Sequence, residues 1–172
     1  MSLAATSDLD AGKNWINHDG GPDQASYSTL TNITPKNIGS LGLQWSLDLS
    51  GEQSLEATPL AIDGRLFFTG SYSAVYGVDA RSGKLLWRYD PQISEHMPSH
   101  MHYIFGVNRG AAYWKGTVFS GTLDGRLIAL DARTGALKWS VVTVSESSKN
   151  TITGAPLVYR GRVLIGSGGA DW

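Results

Sequence analysis

Val78-Asp79-Ala80-Arg81-Ser82-Gly83-Lys84-Leu85-Leu86-Trp87 returns 52 positions later as Leu130-Asp131-Ala132-Arg133-Thr134-Gly135-Ala136-Leu137-Lys138-Trp139. A repeat of that period is the signature of a stacked architecture. Each copy reads as a short strand ending in Asp, a turn over Ala-Arg-Ser/Thr-Gly, and a second strand leading to Trp. The Asp side chain can accept backbone N–H groups within the turn. The Gly can take the left-handed backbone conformation that a short hairpin loop with a bulge requires. A buried indole removes about 150–250 Å² from water. At about 25 cal/mol per Å² that is at most roughly 4–6 kcal/mol. A residue of that size, held in register with a turn, reads as a spacer between stacked units, which applies to both Trp87 and Trp139.

The turn signals extend the pattern outward. Ala57–Ile62, Asp63-Gly64 and Arg65–Gly70 form a strand, an Asp-Gly turn and a strand. Ala74–Asp79 and Leu85–Tyr89 add two more strands. The series restarts at Ala111–Trp114 with Lys115-Gly116, and again at Ala155–Tyr159 with Arg160-Gly161. Four-strand units of about 40–50 residues are the mark of β-propeller blades. Leu66-Phe67-Phe68, Leu127–Leu130 and Val163–Ile165 are apolar without alternation, as in sheets covered on both faces. A solenoid is the rival architecture, but no ladder of one strand per rung is visible.

The expected fold class is therefore all-β: antiparallel four-stranded blades of an incomplete propeller, with two full blades and parts of two others. Residues 1–12 read as a leader outside the fold, and 13–40 as an N-terminal loop region. Residues 41–172 read as the partial propeller, with blades at about 57–90 and 111–142 and the first half of another at 155–172. Leu41–Leu49 reads as a lone outer strand carrying Trp45. A propeller closes with about four to eight blades, so the chain reads as a piece of one. Its bare strand edges predict self-association.

Composition excludes several functions. Of the 172 residues, 41% are hydrophobic and 17% charged, which indicates a globular chain with a real core. A net charge of −1 with interspersed signs gives no reason to expect nucleic acid as a partner. The absence of Cys removes disulfides and thiolate chemistry. No apolar run approaches the roughly 20 residues of a spanning helix. His96, His100 and His102 lie in a Ser-, Met- and Pro-containing insertion, 92–102, between the two full blades. Three imidazoles so close could bind Zn²⁺ or Cu²⁺, and a surface loop is the alternative reading.

Read singly, Glu56 is an exposed strand-entry residue, Arg109 a loop cation, Thr153 a turn cap and Gly168-Gly169 a turn. Read in order, they say more. Glu56-Ala57-Thr58-Pro59, Val107-Asn108-Arg109-Gly110, Leu123–Ala132, Thr151–Pro156 and the terminal Gly168-Gly169-Ala170-Asp171 resemble the N-terminal part of the quinoprotein alcohol dehydrogenases, as do Asn14-Trp15 and Tyr27-Ser28. Those enzymes bind pyrroloquinoline quinone (PQQ) on an eight-bladed propeller.

The resemblance implies a periplasmic enzyme that oxidises an alcohol to an aldehyde or ketone, passes electrons to an acceptor and uses Ca²⁺ as Lewis acid. It implies cofactor contacts from Glu56, Arg109, Thr153, Gly168, Gly169 and Ala170, and a metal ligand at Asp171, where the family usually has Glu. Carboxylate oxygen suits Ca²⁺ in either length. A guanidinium at Arg109 can pair bidentately with a carboxylate of the cofactor. Tyr103 and Ile104 stand where many members carry adjacent cysteines, so a disulfide cannot cover the quinone there. The family's catalytic base and its stacking Trp come from later blades, so no catalytic residue is assigned here and the chain alone is expected to be inactive. A non-catalytic propeller that organises partner proteins is the alternative. It would share the Asp-to-Trp turns but has no reason to keep Glu56, Arg109 and the Gly-Gly-Ala-Asp sequence together.

Overall fold

A computed structural model describes residues 13–21, 23–93, 106–145, 148 and 150–169. Ten strands and two short 3-10 turns, Ile38–Ser40 and Ser71–Ser73, carry the architecture of these residues. The strands are β1 (Leu60–Ile62), β2 (Arg65–Thr69), β3 (Val75–Asp79), β4 (Leu85–Tyr89), β5 (Ala111–Trp114), β6 (Thr117–Gly121), β7 (Arg126–Asp131), β8 (Leu137–Val142), β9 (Leu157–Tyr159) and β10 (Arg162–Leu164). They form two four-stranded antiparallel meanders, β1-β2-β3-β4 and β5-β6-β7-β8, and a hairpin, β9-β10.

The turns follow from their residues. Each first hairpin closes on two residues that both have positive φ: Asp63 and Gly64 (48° and 77°), Lys115 and Gly116 (43° and 77°), and Arg160 and Gly161 (48° and 73°). This is the two-residue turn whose twist matches the flanking strands, and Gly at its second position carries no steric cost. The Asp-to-Trp turns are equally regular. Asp79 Oδ1 accepts from the backbone N–H of Arg81 at 3.1 Å and of Ser82 at 2.8 Å, and from the Ser82 hydroxyl at 2.7 Å. Asp131 Oδ1 accepts from Arg133 N–H, Thr134 N–H and the Thr134 hydroxyl at 3.1, 3.0 and 2.9 Å. The register slips by one residue in both copies, between Gly77 and Val78 and between Ala129 and Leu130. The repeated sequence thus produces a repeated bulge.

The core lies between the two sheets. Leu60, Ile62, Phe67, Val75 and Trp87 from the first meet Ala111, Val118, Ile128 and Leu130 from the second. Strand β7 is buried on both faces through its middle, as its unalternating apolar run predicts, whereas burial alternates along β2 and β10 is partly exposed. Outer strand β8 is exposed along its whole length. Val158 and Val163 of the third hairpin pack on Ala112, Phe119 and Ala129.

The N-terminal segment is docked against these sheets. Trp15 and Ala61 exchange backbone hydrogen bonds at 2.8 and 3.0 Å, and Tyr113 N–H donates to Ile16 O at 3.1 Å. The expected strand Leu41–Leu49 is not one: these residues belong to no ladder. Trp45, Leu47 and Leu49 instead border an apolar groove shared with Leu66, Phe68 and Val78 of the first sheet. Alternation gives that stretch the right pattern, but a strand also needs a neighbour to exchange hydrogen bonds with. The three histidines of the 92–102 insertion, Tyr103, Ile104, Ala170 and Asp171 lie outside the described residues. No helix among the described residues is long and apolar enough to cross a membrane.

Candidate functional site

The chain enters each innermost strand from the same end of the assembly. The entry segments 56–59, 108–110 and 151–156 precede β1, β5 and β9. Thr58 and Gly110 form a parallel bridge between the first two, and Arg109 N–H donates to Thr153 O at 2.8 Å between the second and third. Three side chains far apart in sequence converge as a result. Arg109 donates through Nη1 to Thr153 Oγ1 at 2.8 Å, and its Nη2 faces Glu56 Oε2 at 4.0 Å. The other oxygen of Glu56 accepts from the Ser54 hydroxyl at 2.9 Å.

The side chains of Arg109 and Glu56 are 52% and 46% exposed. An ion pair this open and this long contributes little to stability. The guanidinium keeps N–H groups to offer to a ligand, beside a hydroxyl and a carboxylate. Gly168 sits next to this cluster, because it exchanges backbone hydrogen bonds with Thr151 at 2.7 and 3.0 Å. Gly169 follows with a φ of 90°. Glu56, Arg109 and Thr153 are thus brought together, and Gly168-Gly169 are tied two residues from Thr153.

The post that holds Arg109 is Asn108, a residue to which the sequence alone assigns no role. It is buried. Its Nδ2 donates to Gly121 O at 2.8 Å, its Oδ1 accepts Gly110 N–H at 3.1 Å, and its carbonyl accepts from Thr69 Oγ1 at 3.3 Å. One residue therefore joins the first sheet, the second sheet and the Arg109 segment. A buried amide is costly unless paired, and Asn close before a Gly at a strand entry is the signal the sequence offers. On another side of Arg109, a cleft is lined by Asn17, His18, Asp19, Ala155 and Pro156.

The donor set fits the group that the resemblance implies. A planar guanidinium with unused N–H groups, a hydroxyl and open backbone suit a flat quinone bearing carboxylates. The described residues gather no three His, Cys, Asp or Glu side chains as metal ligands, and Asp171 is not among them.

Successive four-stranded antiparallel sheets packed against one another are the architecture of the β-propeller class. Residues 15–172 match the β-propeller domain of the PQQ-dependent glucose, ethanol and alcohol dehydrogenases, and the chain belongs to that family. It is 47% identical over 160 residues to quinohemoprotein alcohol dehydrogenase ADH-IIG of Pseudomonas putida, a match that covers 92% of this chain and 22% of the relative. It is 44% identical over 171 residues to the 1-butanol dehydrogenase (cytochrome c) of Thauera butanivorans, covering 99% of this chain and 25% of the relative. The crystal structure of quinohemoprotein alcohol dehydrogenase from Comamonas testosteroni superposes with a TM-score of 0.86 at 40% identity, over 95% of this chain and 24% of that one. The chain therefore spans about a quarter of the length of these relatives. Family membership implies PQQ and a metal ion.

Proposed function

We propose that this chain forms the opening part of the propeller of a periplasmic, PQQ- and calcium-dependent dehydrogenase that oxidises alcohols to aldehydes or ketones. The observation that carries the reading is the convergence of Glu56, Arg109 and Thr153 at one end of the sheets. Arg109 would hold a carboxylate of PQQ through its free N–H groups, and Thr153 would fix the guanidinium plane. Glu56 would orient Arg109 from the opposite side. Gly168, Gly169 and Ala170 would let the backbone approach the quinone, and Asp171 would supply carboxylate oxygen to Ca²⁺. A bound PQQ would supply the two-electron acceptor for this oxidation, and a bound metal ion the Lewis acid. Relatives described as a quinohemoprotein and as a cytochrome c-linked dehydrogenase support a haem or cytochrome acceptor for the whole protein.

In this reading the base for the alcohol comes from later blades of the whole protein, and the chain by itself is proposed to be inactive. The test is titration of the whole protein with PQQ and Ca²⁺, followed by a dye-linked assay over a series of primary and secondary alcohols. Saturable quinone binding with alcohol-dependent dye reduction supports the reading. Absence of both overturns it.

A further inference from the structure

A polar network separate from the Arg109 cluster lies where β2 turns toward β3. Gly70 leads into the turn Ser71–Ser73, in which Tyr72 and Ser73 have φ of 54° and 63°. Glu52 reaches into this corner, where its carboxylate accepts from Ser71 N–H and from the Tyr76 phenol. The phenol oxygen in turn accepts from Arg88 Nε at 3.1 Å, and Arg88 pairs with Asp90 at 3.0 Å. A Cβ on Gly70 would overlap the Glu52 carboxylate, so this corner is shaped around that side chain.

The network continues toward the site. Ser71 Oγ accepts the backbone N–H groups of Gln53 at 2.8 Å and Ser54 at 3.0 Å, and lies 3.3 Å from Ser54 O. The Ser54 hydroxyl then donates to Glu56 Oε1 at 2.9 Å. Residues 52–56 belong to no strand, so these bonds are what fix the segment. A carboxylate on an unpaired loop is otherwise free to turn. Here one oxygen is occupied by Ser54 and the other faces Arg109.

We infer that Ser54 and Ser71 are positioning residues, anchored by Glu52, that set the Glu56 carboxylate against Arg109 and so pre-organise the cation for a quinone carboxylate. This rests on the quinone-binding reading proposed above. A Glu56 held in this way serves to orient the guanidinium.

The test is PQQ titration of the whole protein in the presence of Ca²⁺, read by quenching of tryptophan fluorescence. Deuterium uptake by the quinone-free protein is the second readout. Ser54→Ala is expected to weaken PQQ binding about 3- to 10-fold, the effect of one hydrogen bond. Ser54→Thr, which keeps the hydroxyl, is expected to restore it. In a Glu56→Gln background, Ser54→Ala is expected to add little, because the two act as a unit. Ser71→Ala is expected to speed exchange at Gln53 and Ser54 and leave β5–β8 unchanged. Wild-type affinity in Ser54→Ala, or an undiminished loss in the Glu56→Gln background, overturns the positioning role alone. A wild-type protein that takes up no quinone overturns the cofactor reading and this inference with it.

Discussion

The indole of Trp87 occupies the space that a side chain at Gly135 would need. A Cβ at Gly135 would lie 2.7 Å from Cδ2 and Cε3 of the ring, and the indole N–H donates to Ala132 O at 3.2 Å. The same relationship precedes it in the chain. A Cβ at Gly83 would lie 2.5 Å from Trp45 Cε3, and the Trp45 N–H donates to Ala80 O at 3.0 Å. Each Asp-to-Trp turn is thus capped by an indole from an earlier part of the chain. The repeated Gly answers two demands, a positive φ for its own turn and empty space for the preceding Trp. That coupling links the 52-residue period in sequence to the stacking of sheets in space.

Gly135→Ala should be far more damaging than Gly161→Ala. Gly135 has φ of 74°, and its Cβ position is filled by Trp87. Gly161 has φ of 73° with nothing within 4 Å of its Cβ position. Backbone strain costs about 1 kcal/mol at either site, and overpacking adds about 1–3 kcal/mol at Gly135 alone. Urea unfolding of the two variants checks this. Equal losses would mean that the indole is not held tightly against the turn.

The turns are readable from sequence because their causes are local. Asp63-Gly64, Lys115-Gly116 and the two Asp-to-Trp loops each close within a few residues, so side-chain chemistry alone specifies them. Leu41–Leu49 misleads because a ladder depends on a partner elsewhere, which alternation cannot report. The site is legible only in part. The order of Glu56, Arg109 and Thr153 suggests a cofactor, but their meeting depends on the Thr58–Gly110 bridge and on Arg109 N–H reaching Thr153 O. Ser54 and Asn108 escape sequence reading for the same reason. Their roles lie in bonds to Ser71, Gly121 and Thr69, and no periodicity encodes those.

Ser82→Ala and Thr134→Ala should weaken the fold in a pH-dependent way. The Ser82 hydroxyl, followed by its backbone N–H, holds the Asp79 carboxyl below its ordinary value, and the Thr134 hydroxyl does the same for Asp131. A carboxyl whose folded value is depressed contributes stability that is present above its unfolded pKa, about 3.9. That contribution is lost as pH falls through the lower, folded value. The stability gap between wild type and each variant should therefore be full at neutral pH and close below about pH 4. Urea titrations across that range check it, together with carboxyl NMR shifts. A gap that stayed constant with pH would assign the loss to the turn backbone instead.

Arg109→Lys in the whole protein should cost quinone affinity despite conserving charge. Lysine cannot present a planar fork to a carboxylate while also reaching Thr153 Oγ1, which Arg109 Nη1 does at 2.8 Å. Loss of charge-assisted hydrogen bonds of about 1.5–3 kcal/mol corresponds to roughly 10- to 100-fold in affinity. Thr153→Ser keeps the hydroxyl and should stay close to wild type. Equilibrium PQQ titration of both variants reads the difference. If the Arg109→Lys variant were to bind as well as wild type, the guanidinium geometry would be irrelevant and only its charge would matter.

The chain on its own should self-associate through β8 and the face beside it. All six residues of β8 are exposed, among them Leu137, Trp139, Val141 and Val142, and its outer edge has no strand partner among the described residues. Trp139 is the counterpart of Trp87, yet it is 42% exposed where Trp87 is 8%. It leans on Phe119 with ring centroids 5.8 Å apart and caps no turn among the described residues. A strand edge of this kind accepts another strand, and an apolar face of this kind accepts another sheet. Light scattering over a concentration series should show mass rising with concentration. Val141→Lys, which puts a charge on the edge strand, should shift the distribution toward monomer and leave the far-ultraviolet spectrum unchanged. A clean monomer at high concentration in the unmodified chain would mean that this face is protected in solution by some other arrangement of the strands.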